Sequence, residues 1–197
     1  MINTGYDIDV PNRYPAIFRH LKEIGDGFEE ENKNKKTKSK GLYKREDQGQ
    51  NWWNLRACAY MQDFDKQVIA WQRITSKNQF CLSRAETIIL DSMAFISNFG
   101  DKQNTLLAFL NSQVVYFWIK INVHEYGDSG FRLSNQYVEE IPIPKIQDTS
   151  KIDKLLDLVI RGKEKRENTT QLEQCIDLLI YDIYGLNAQE VEFIENL

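Results

Sequence analysis

The sequence predicts an α+β protein in which a mostly antiparallel β-sheet and a buried helix are followed by a C-terminal helical pair. Three observations indicate this class. Short runs of alternating apolar residues recur between residues 67 and 97, as in strands separated by turns. Residues 104–121 are apolar on nearly all sides of a helix, which is typical of a buried helix. After residue 148, apolar residues recur at heptad-like intervals.

The first fifty residues predict a helix and a basic loop. Residues 1–12 are expected to be extended, and Pro15 suits the first position of a helix over residues 14–24. Residues 29–41, EEENKNKKTKSKG, almost lack apolar side chains, so we expect a mobile loop. Where this loop meets DNA, its lysines would contact phosphates without reading sequence.

The stretch from residue 51 to 75 combines three tryptophans with basic side chains. Strict alternation over a strand at 67–74 predicts that Trp71 and Arg73 share one face. Such a pair is typical of a nucleic-acid-contacting surface, or of a core tryptophan beside a rim arginine. The residues alone favour the second interpretation, because large aromatic side chains are mostly buried. Further strands are predicted at 79–82, 87–90 and 93–97.

The second half predicts mainly helices. A helix begins with Asn104 as its cap and continues to residue 121, and the glycines of loop 124–132 allow close approach to another backbone. Leu110, Asn111 and Ser112 are interpreted as structural, as are Pro142 and Pro144 in an extended segment at 138–144. Two helices at 152–166 and 170–184 and a third with a capping box at Asn187 and Glu190 end the chain.

Composition and charge restrict the class of protein. The hydrophobic content of 42% and the charged content of 27% are ordinary for a globular protein, and neither a membrane span nor a signal peptide is visible, so we expect a cytoplasmic location. The net charge is −4, but residues 33–84 hold twelve Lys or Arg against four Asp or Glu. A basic block on an acidic body is the electrostatic pattern of a nucleic-acid-binding protein, although a short lysine run is equally typical of a solvated loop.

Catalytic and metal-binding motifs are missing from the sequence. It contains no glycine-rich phosphate or cofactor loop, no H-E-x-x-H and no nucleophile elbow. Cys58, Cys81 and Cys175 are isolated from one another, as are His20 and His124, so we expect neither a metal site nor a disulfide framework. Catalysis by this chain alone is therefore not expected.

Seven landmarks occur in a familiar order: YPAIFRHL, YKREDQGQNWWNLRACAYM, KQVIAWQRI, FCL, LAFLNS, GDSGFRLS and IPIP. Together they resemble the TaqI-like C-terminal specificity domain, the target-recognition domain of N6-adenine DNA methyltransferases and of the fused type IIG restriction-modification enzymes. The ending CIDLLIYDIYGLNAQEVEFIE is similar to the helical ending of those enzymes. The stretch 29–41 departs from the family pattern, which places any role of its lysines in doubt.

The resemblance implies sequence-specific recognition of double-stranded DNA, with methyl transfer carried out by a linked or associated domain. That missing catalytic domain would hold S-adenosylmethionine and the flipped adenine. Three segments follow: an N-terminal helix and lysine-rich loop at 1–50, a recognition core at 51–147 and a helical segment at 148–197. Open alternatives are a specificity subunit of a multisubunit restriction system and a protein-interaction module.

The resemblance also implies which side chains meet DNA, although recognition residues differ with the target sequence. Arginine, glutamine and aromatic side chains in the two predicted recognition segments are suited to base edges. These candidates are Trp52, Trp53, Arg56, Trp71, Gln72, Arg73, Lys77, Tyr126, Ser129, Phe131 and Arg132. Nonspecific phosphate contacts are expected from Lys33, Lys35, Lys36, Lys38, Lys40, Lys44 and Arg45.

Overall fold

The structure is a computed structural model that describes residues 8–36, 40–46, 48–54 and 60–196. Its contacts divide the chain into two compact units, residues 1–60 and 61–197. Helices and small antiparallel sheets together give an α+β fold, as the sequence predicts. The sheets are smaller and the helices more extensive than we expected.

The first unit is built on two helices, α1 (Val10–Arg13) and α2 (Pro15–Lys33). Pro15 occupies the first turn of α2 as predicted, but α1 replaces part of the extended segment expected before it. The predicted end of α2 near residue 24 is wrong, because the helix continues for nine more residues to Lys33. The first part of the expected mobile loop is therefore helical, while residues 37–39 lie outside the described part.

Side-chain pairs at helical spacings occur along α2 and in its extension. Lys22 pairs with Asp26 at 2.6 Å and Lys33 with Glu30 at 2.6 Å, at the helical spacings that support an exposed helix. The Tyr43 hydroxyl donates to Asp26 Oδ1 at 2.7 Å and ties the following short 3₁₀ turn to α2. The hydrogen bond to Asp26 raises the pKa of Tyr43 to about 12, with desolvation adding to it.

The second unit contains two antiparallel sheets. β1 (Ile69–Gln72) lies between β3 (Phe80–Leu82) and β4 (Met93–Ile96), and β2 (Ile74–Thr75) pairs with β5 (Phe131–Arg132). The predicted strands at 79–82 and 93–97 are confirmed. The one predicted at 87–90 is not present, because β3 and β4 flank β1 on opposite sides and the intervening chain must cross between them.

The predicted helix at 104–121 is two helices, α3 (Gln103–Leu110) and α4 (Gln113–Asn122). The prediction that Asn104 caps the helix is wrong, because Asn104 lies inside α3 and its side chain donates to Asp157. The break follows from Ser112, whose Oγ accepts a hydrogen bond from the Val115 amide at 3.3 Å and so begins a new helix. After α5 (Asn135–Glu139), the chain forms α6 (Ser150–Glu164), α7 (Thr170–Tyr184) and α8 (Ala188–Glu195).

Local signals place the ends of the C-terminal helices. Gly185 ends α7 in the left-handed conformation with φ of 68°, and Asn187 with Glu190 forms the predicted capping box of α8. Ile152 and Leu156 of α6 and Ile176 of α7 belong to the same buried core as Trp71. The helices after residue 148 are therefore part of the core of the second unit.

No helix in the described ranges is both long enough and apolar enough to cross a membrane. The same ranges hold no group of His, Cys, Asp and Glu side chains arranged for a metal ion.

Candidate nucleic-acid interface

A two-stranded antiparallel ribbon, β2 with β5, joins the two segments in which recognition residues are predicted. Ile74 lies opposite Arg132 and Thr75 lies opposite Phe131. Because side chains alternate along a strand, the second pair faces the core and the first pair faces outward. Thr75 and Phe131 are buried, whereas Ile74 is 43% exposed and Arg132 is exposed. We call this pair of strands the ribbon.

Gly130 brings the two strands of the ribbon together. Its φ is 101°, a conformation that favours glycine, and a Cβ atom built on it would lie 2.7 Å from Ser76 Cα and overlap the Thr75 carbonyl oxygen. The close backbone approach expected from the glycines of loop 124–132 therefore occurs at Gly130. A Cβ atom added to Gly127, in the same loop, would meet no other atom within 4 Å, so this glycine serves only the turn.

Most predicted recognition residues of the second unit lie exposed on or beside the ribbon. They are Gln72, Arg73, Lys77, Tyr126, Ser129 and Arg132. In the described part of the chain, no carboxylate forms an ion pair with Arg132. Its guanidinium therefore keeps its hydrogen-bonding capacity for a ligand.

Arg73 is exposed but partly committed within the protein. Its Nε donates to the Met93 carbonyl at 3.1 Å, and its own carbonyl accepts from the Leu133 amide at 2.7 Å. These bonds hold the chain where β1 ends and β2 begins, so that Trp71 and Arg73 do not share one face of a continuous strand. The predicted strand at 67–74 is thus interrupted at Arg73, and the prediction of a shared face is wrong.

Two predicted DNA contacts are incompatible with the burial of their side chains. Trp71 is 2% exposed, and its Nε1 donates to the Leu133 carbonyl at 2.9 Å. Phe131 is 8% exposed on the inner face of the ribbon. Neither ring is accessible for stacking on a base, so both residues are core residues that support the ribbon. The alternative that Trp71 is a core tryptophan is the correct one.

The two other predicted tryptophans form an aromatic cluster in the first unit. The Trp52 ring lies 5.5 Å from Phe18 and 4.7 Å from Tyr43, and the Trp53 ring packs edge-on against Trp52 at 5.4 Å. Both tryptophans are half-buried, so only part of each ring is available to a partner. Arg45 donates to the backbone carbonyls of Trp52 and of Asn54, which fixes this turn.

The lysines expected to contact phosphates are mostly paired with glutamates. Lys33 pairs with Glu30 at 2.6 Å, Lys35 with Glu31 at 3.9 Å and Lys44 with Glu29 at 3.1 Å, and Lys40 pairs with Glu46. These pairs are exposed, so each contributes little to stability and exchanges readily for another anion. Lys36 is exposed as well, whereas Arg56 and Lys38 lie outside the described residues.

Ile74 is a surface residue of the ribbon that the sequence interpretation did not single out. An apolar side chain exposed beside Arg132 is suited to the methyl group of thymine. The alternation of residues 67–74 shows that Ile74 is an apolar strand residue. Only the interruption at Arg73, which begins a new strand at Ile74, places this side chain on the outer face of the ribbon.

No curated protein matches the chain at a significant level. The family model of the TaqI-like C-terminal specificity domain matches residues 6–143, which include both α2 and the complete ribbon. The match ends before α6, although α6 and α7 contribute to the same buried core as Phe131 of the ribbon. The chain belongs to the family of TaqI-like C-terminal specificity domains, which indicates DNA target recognition in a methyltransferase or restriction-modification context.

Proposed function

We propose that the chain recognises a specific double-stranded DNA sequence for an adenine-specific DNA methyltransferase, and that its parent system is a type IIG restriction-modification enzyme. The observation that carries this proposal is the ribbon, which presents Arg132 and Ile74 side by side on an outward face. The family supports the DNA target, and the adenine specificity and the type IIG context rest on the resemblance of the seven landmarks.

The outer face of the ribbon has the chemistry of an element that reads the major groove. That groove admits a two-stranded β-ribbon and shows a different pattern of donors, acceptors and methyl groups for each base pair. Arg132 can donate two hydrogen bonds to guanine O6 and N7, and Gln72 can pair with adenine N6 and N7. Ile74 would add apolar contact with thymine. Lys77 follows β2 and Tyr126 precedes β5, and both exposed side chains are suited to phosphate contacts.

Methyl transfer is assigned to another domain, linked or associated. The 197 residues contain neither a glycine-rich cofactor loop nor an Asn-Pro-Pro-Tyr-type motif, which are the parts that bind S-adenosylmethionine and hold a flipped adenine in such enzymes. The residues of the ribbon offer hydrogen bonds and apolar contact, and this suits them to binding and orientation. The division of labour therefore places sequence choice in this chain and chemistry in its partner domain.

Selection from a pool of randomised DNA duplexes tests the proposal. The full chain is expected to enrich one short sequence, and Arg132→Ala is expected to reduce its preference over a scrambled duplex by roughly tenfold to a hundredfold, because one bidentate pair discriminates by about 1–3 kcal/mol. Arg161→Ala is the matched control, since it removes the same charge from the exposed surface of α6. Failure to enrich any sequence, or equal losses in both variants, would contradict the proposal.

A further inference from the structure

The connection between β2 and β3, residues 76–79, is fastened to the junction of α3 and α4. Asn78 Nδ2 donates to the carbonyl of Leu110 at 3.0 Å and to the carbonyl of Ser112 at 2.9 Å. The Leu110 carbonyl is available because α3 ends at Leu110 and a helix leaves its last carbonyl groups without intrahelical partners. The Ser112 carbonyl also accepts from the Tyr116 amide at 3.0 Å as α4 begins, and Asn78 is its second donor. The break between the two helices therefore creates the acceptors that hold the connection.

Asn111 holds the strand that follows the same connection. Its Oδ1 accepts from the Phe80 amide at 3.0 Å, and its Nδ2 donates to the Phe80 carbonyl at 3.0 Å and to the Leu107 carbonyl at 3.0 Å. One side-chain amide thus pairs with both backbone groups of Phe80, as a neighbouring strand would. This pairing occupies part of the free edge of β3 and ties it to α3.

The ribbon side of the connection has its own attachments. Thr75 Oγ1 donates to the Lys77 carbonyl at 2.6 Å, and the Tyr116 hydroxyl donates to the Ser76 carbonyl at 3.3 Å. The ribbon itself has two residues in each strand, and so short a pairing is marginal without other support. Its position relative to the helices therefore depends on the burial of Phe131, on the hydrogen bond from the Leu133 amide to the Arg73 carbonyl and on these attachments.

We propose that Asn78 and Asn111 are positioning residues that set the location of the ribbon on the helical body and thereby the choice of DNA sequence. This inference rests on the proposed function of the ribbon. Direct reading of a base requires that donors be held within about 0.5 Å of their productive positions. Through their side-chain amides, Asn78 and Asn111 link the junction of α3 and α4 to the segment 74–80, which begins with Ile74 of the ribbon and ends with Phe80 of β3. Neither side chain needs to touch DNA.

The first arm of the test measures hydrogen exchange of the Leu133 amide, which bonds to the Arg73 carbonyl beside the ribbon, in the full chain. Asn78→Ala is expected to accelerate this exchange by roughly tenfold or more. Asn104→Ala is the matched control, because Asn104 Nδ2 donates to Asp157 at 2.8 Å and links α3 to α6 without touching the connection. The control is expected to leave exchange at the ribbon unchanged. Unchanged exchange in Asn78→Ala would overturn the inference.

The second arm measures the ratio of dissociation constants for the selected duplex and a scrambled duplex. Asn78→Ala is expected to lower this ratio by roughly tenfold with little change for the scrambled duplex, because phosphate contacts tolerate displacement better than base contacts. Asn78→Asp removes the N–H donors and keeps the size of the side chain, so it separates the loss of these hydrogen bonds from a packing defect. Asn111→Ala is measured alongside.

The two arms separate the two proposals. Faster exchange at the ribbon with an unchanged discrimination ratio would overturn the role of the asparagines in sequence choice. A wild-type chain that does not discriminate between duplexes would overturn the proposed function, while the exchange arm would still decide whether the asparagines hold the ribbon.

Discussion

Replacing Gly130 with alanine is expected to disrupt the ribbon far more than the same replacement at Gly127. Both glycines lie in the loop that leads into β5, and both have positive φ, 101° and 51°. The added Cβ at Gly127 meets nothing within 4 Å, whereas at Gly130 it would lie 2.7 Å from Ser76 Cα and 2.8 Å from the Ser76 nitrogen. The pair of variants therefore compares an open position with one at which both the backbone conformation and the contacts oppose a side chain.

The magnitude follows from these two costs. A residue other than glycine in the left-handed region costs about 1–2 kcal/mol, which applies to Gly127. Gly130 has φ of 101° and ψ of −132°, a conformation that disfavours every other residue more strongly. At Gly130 the contacts are backbone atoms that lie well inside the 3.4 Å of ordinary contact, so β2 and β5 must separate. The loss of their pairing and the exposure of Phe131 raise the total to about 3–4 kcal/mol, against about 1–2 kcal/mol at Gly127.

Equilibrium unfolding of the full chain in urea measures both losses, and binding to the selected duplex measures the functional result. Gly127→Ala is expected to retain discrimination between duplexes, and Gly130→Ala to lose it. Equal losses of stability in the two variants would refute the close approach of the strands at Gly130. If Gly130→Ala loses about 3–4 kcal/mol of unfolding free energy but still discriminates between duplexes, the ribbon is not the reading element.

Three further perturbations test other parts of the structure. Burial raises the pKa of Asp177 to about 6 from 3.8, with Glu195 and Glu173 adding to it and the Gln113 amide opposing it. Because the raised pKa favours the protonated folded form, the free energy of unfolding is expected to fall as the pH rises from about 4 to about 6. Asp177→Asn is expected to be more stable than the wild type by about 1–2 kcal/mol at pH 7.5 and equally stable near pH 4, which unfolding curves across pH would measure. Asp182→Asn, in an exposed position on the same helix, is the control. A loss of stability in Asp177→Asn at pH 7.5 would contradict the raised pKa of Asp177. Trp71→Phe is expected to lose about 2–4 kcal/mol of unfolding free energy, since it leaves the Leu133 carbonyl without its donor and opens a cavity; an unchanged stability would show that the indole is not a core group. Replacing Lys33 and Lys35 with alanine is expected to weaken binding to a scrambled duplex by less than tenfold, because Glu30 and Glu31 already oppose the attraction of these lysines to phosphates. Titration at two salt concentrations measures the loss, and a loss of more than tenfold would contradict this reasoning.

Local patterns in the sequence were sufficient for several elements. The capping box at Asn187 and Glu190 and the glycine at residue 185 place the ends of α7 and α8, because these signals act within one helical turn. The interpretation of Asn111 and Ser112 as structural residues is likewise supported by their hydrogen bonds. The ordered landmarks were enough for the family, which the match over residues 6–143 confirms.

Two other differences between the sequence predictions and the structure have local causes. Composition predicts a mobile loop at 29–41, yet Glu30 and Lys33 stand at a helical spacing and pair on α2. The predicted helix at 104–121 missed a serine cap in the middle of an apolar run. Both signals are local and were present in the sequence.

Alternation along a strand determines which side chains lie on opposite faces, but it leaves open which face becomes covered. That choice depends on partners that are distant in the chain: Leu133 receives the indole N–H of Trp71 and also donates to the carbonyl of Arg73. The sequence by itself therefore determined the family, the end of α7 and the start of α8. Only the tertiary structure decided that Trp71 is buried, that the strand is interrupted at Arg73 and that Ile74 and Arg132 face outward together, because β2 and β5 obtain their pairing from contacts across more than fifty residues.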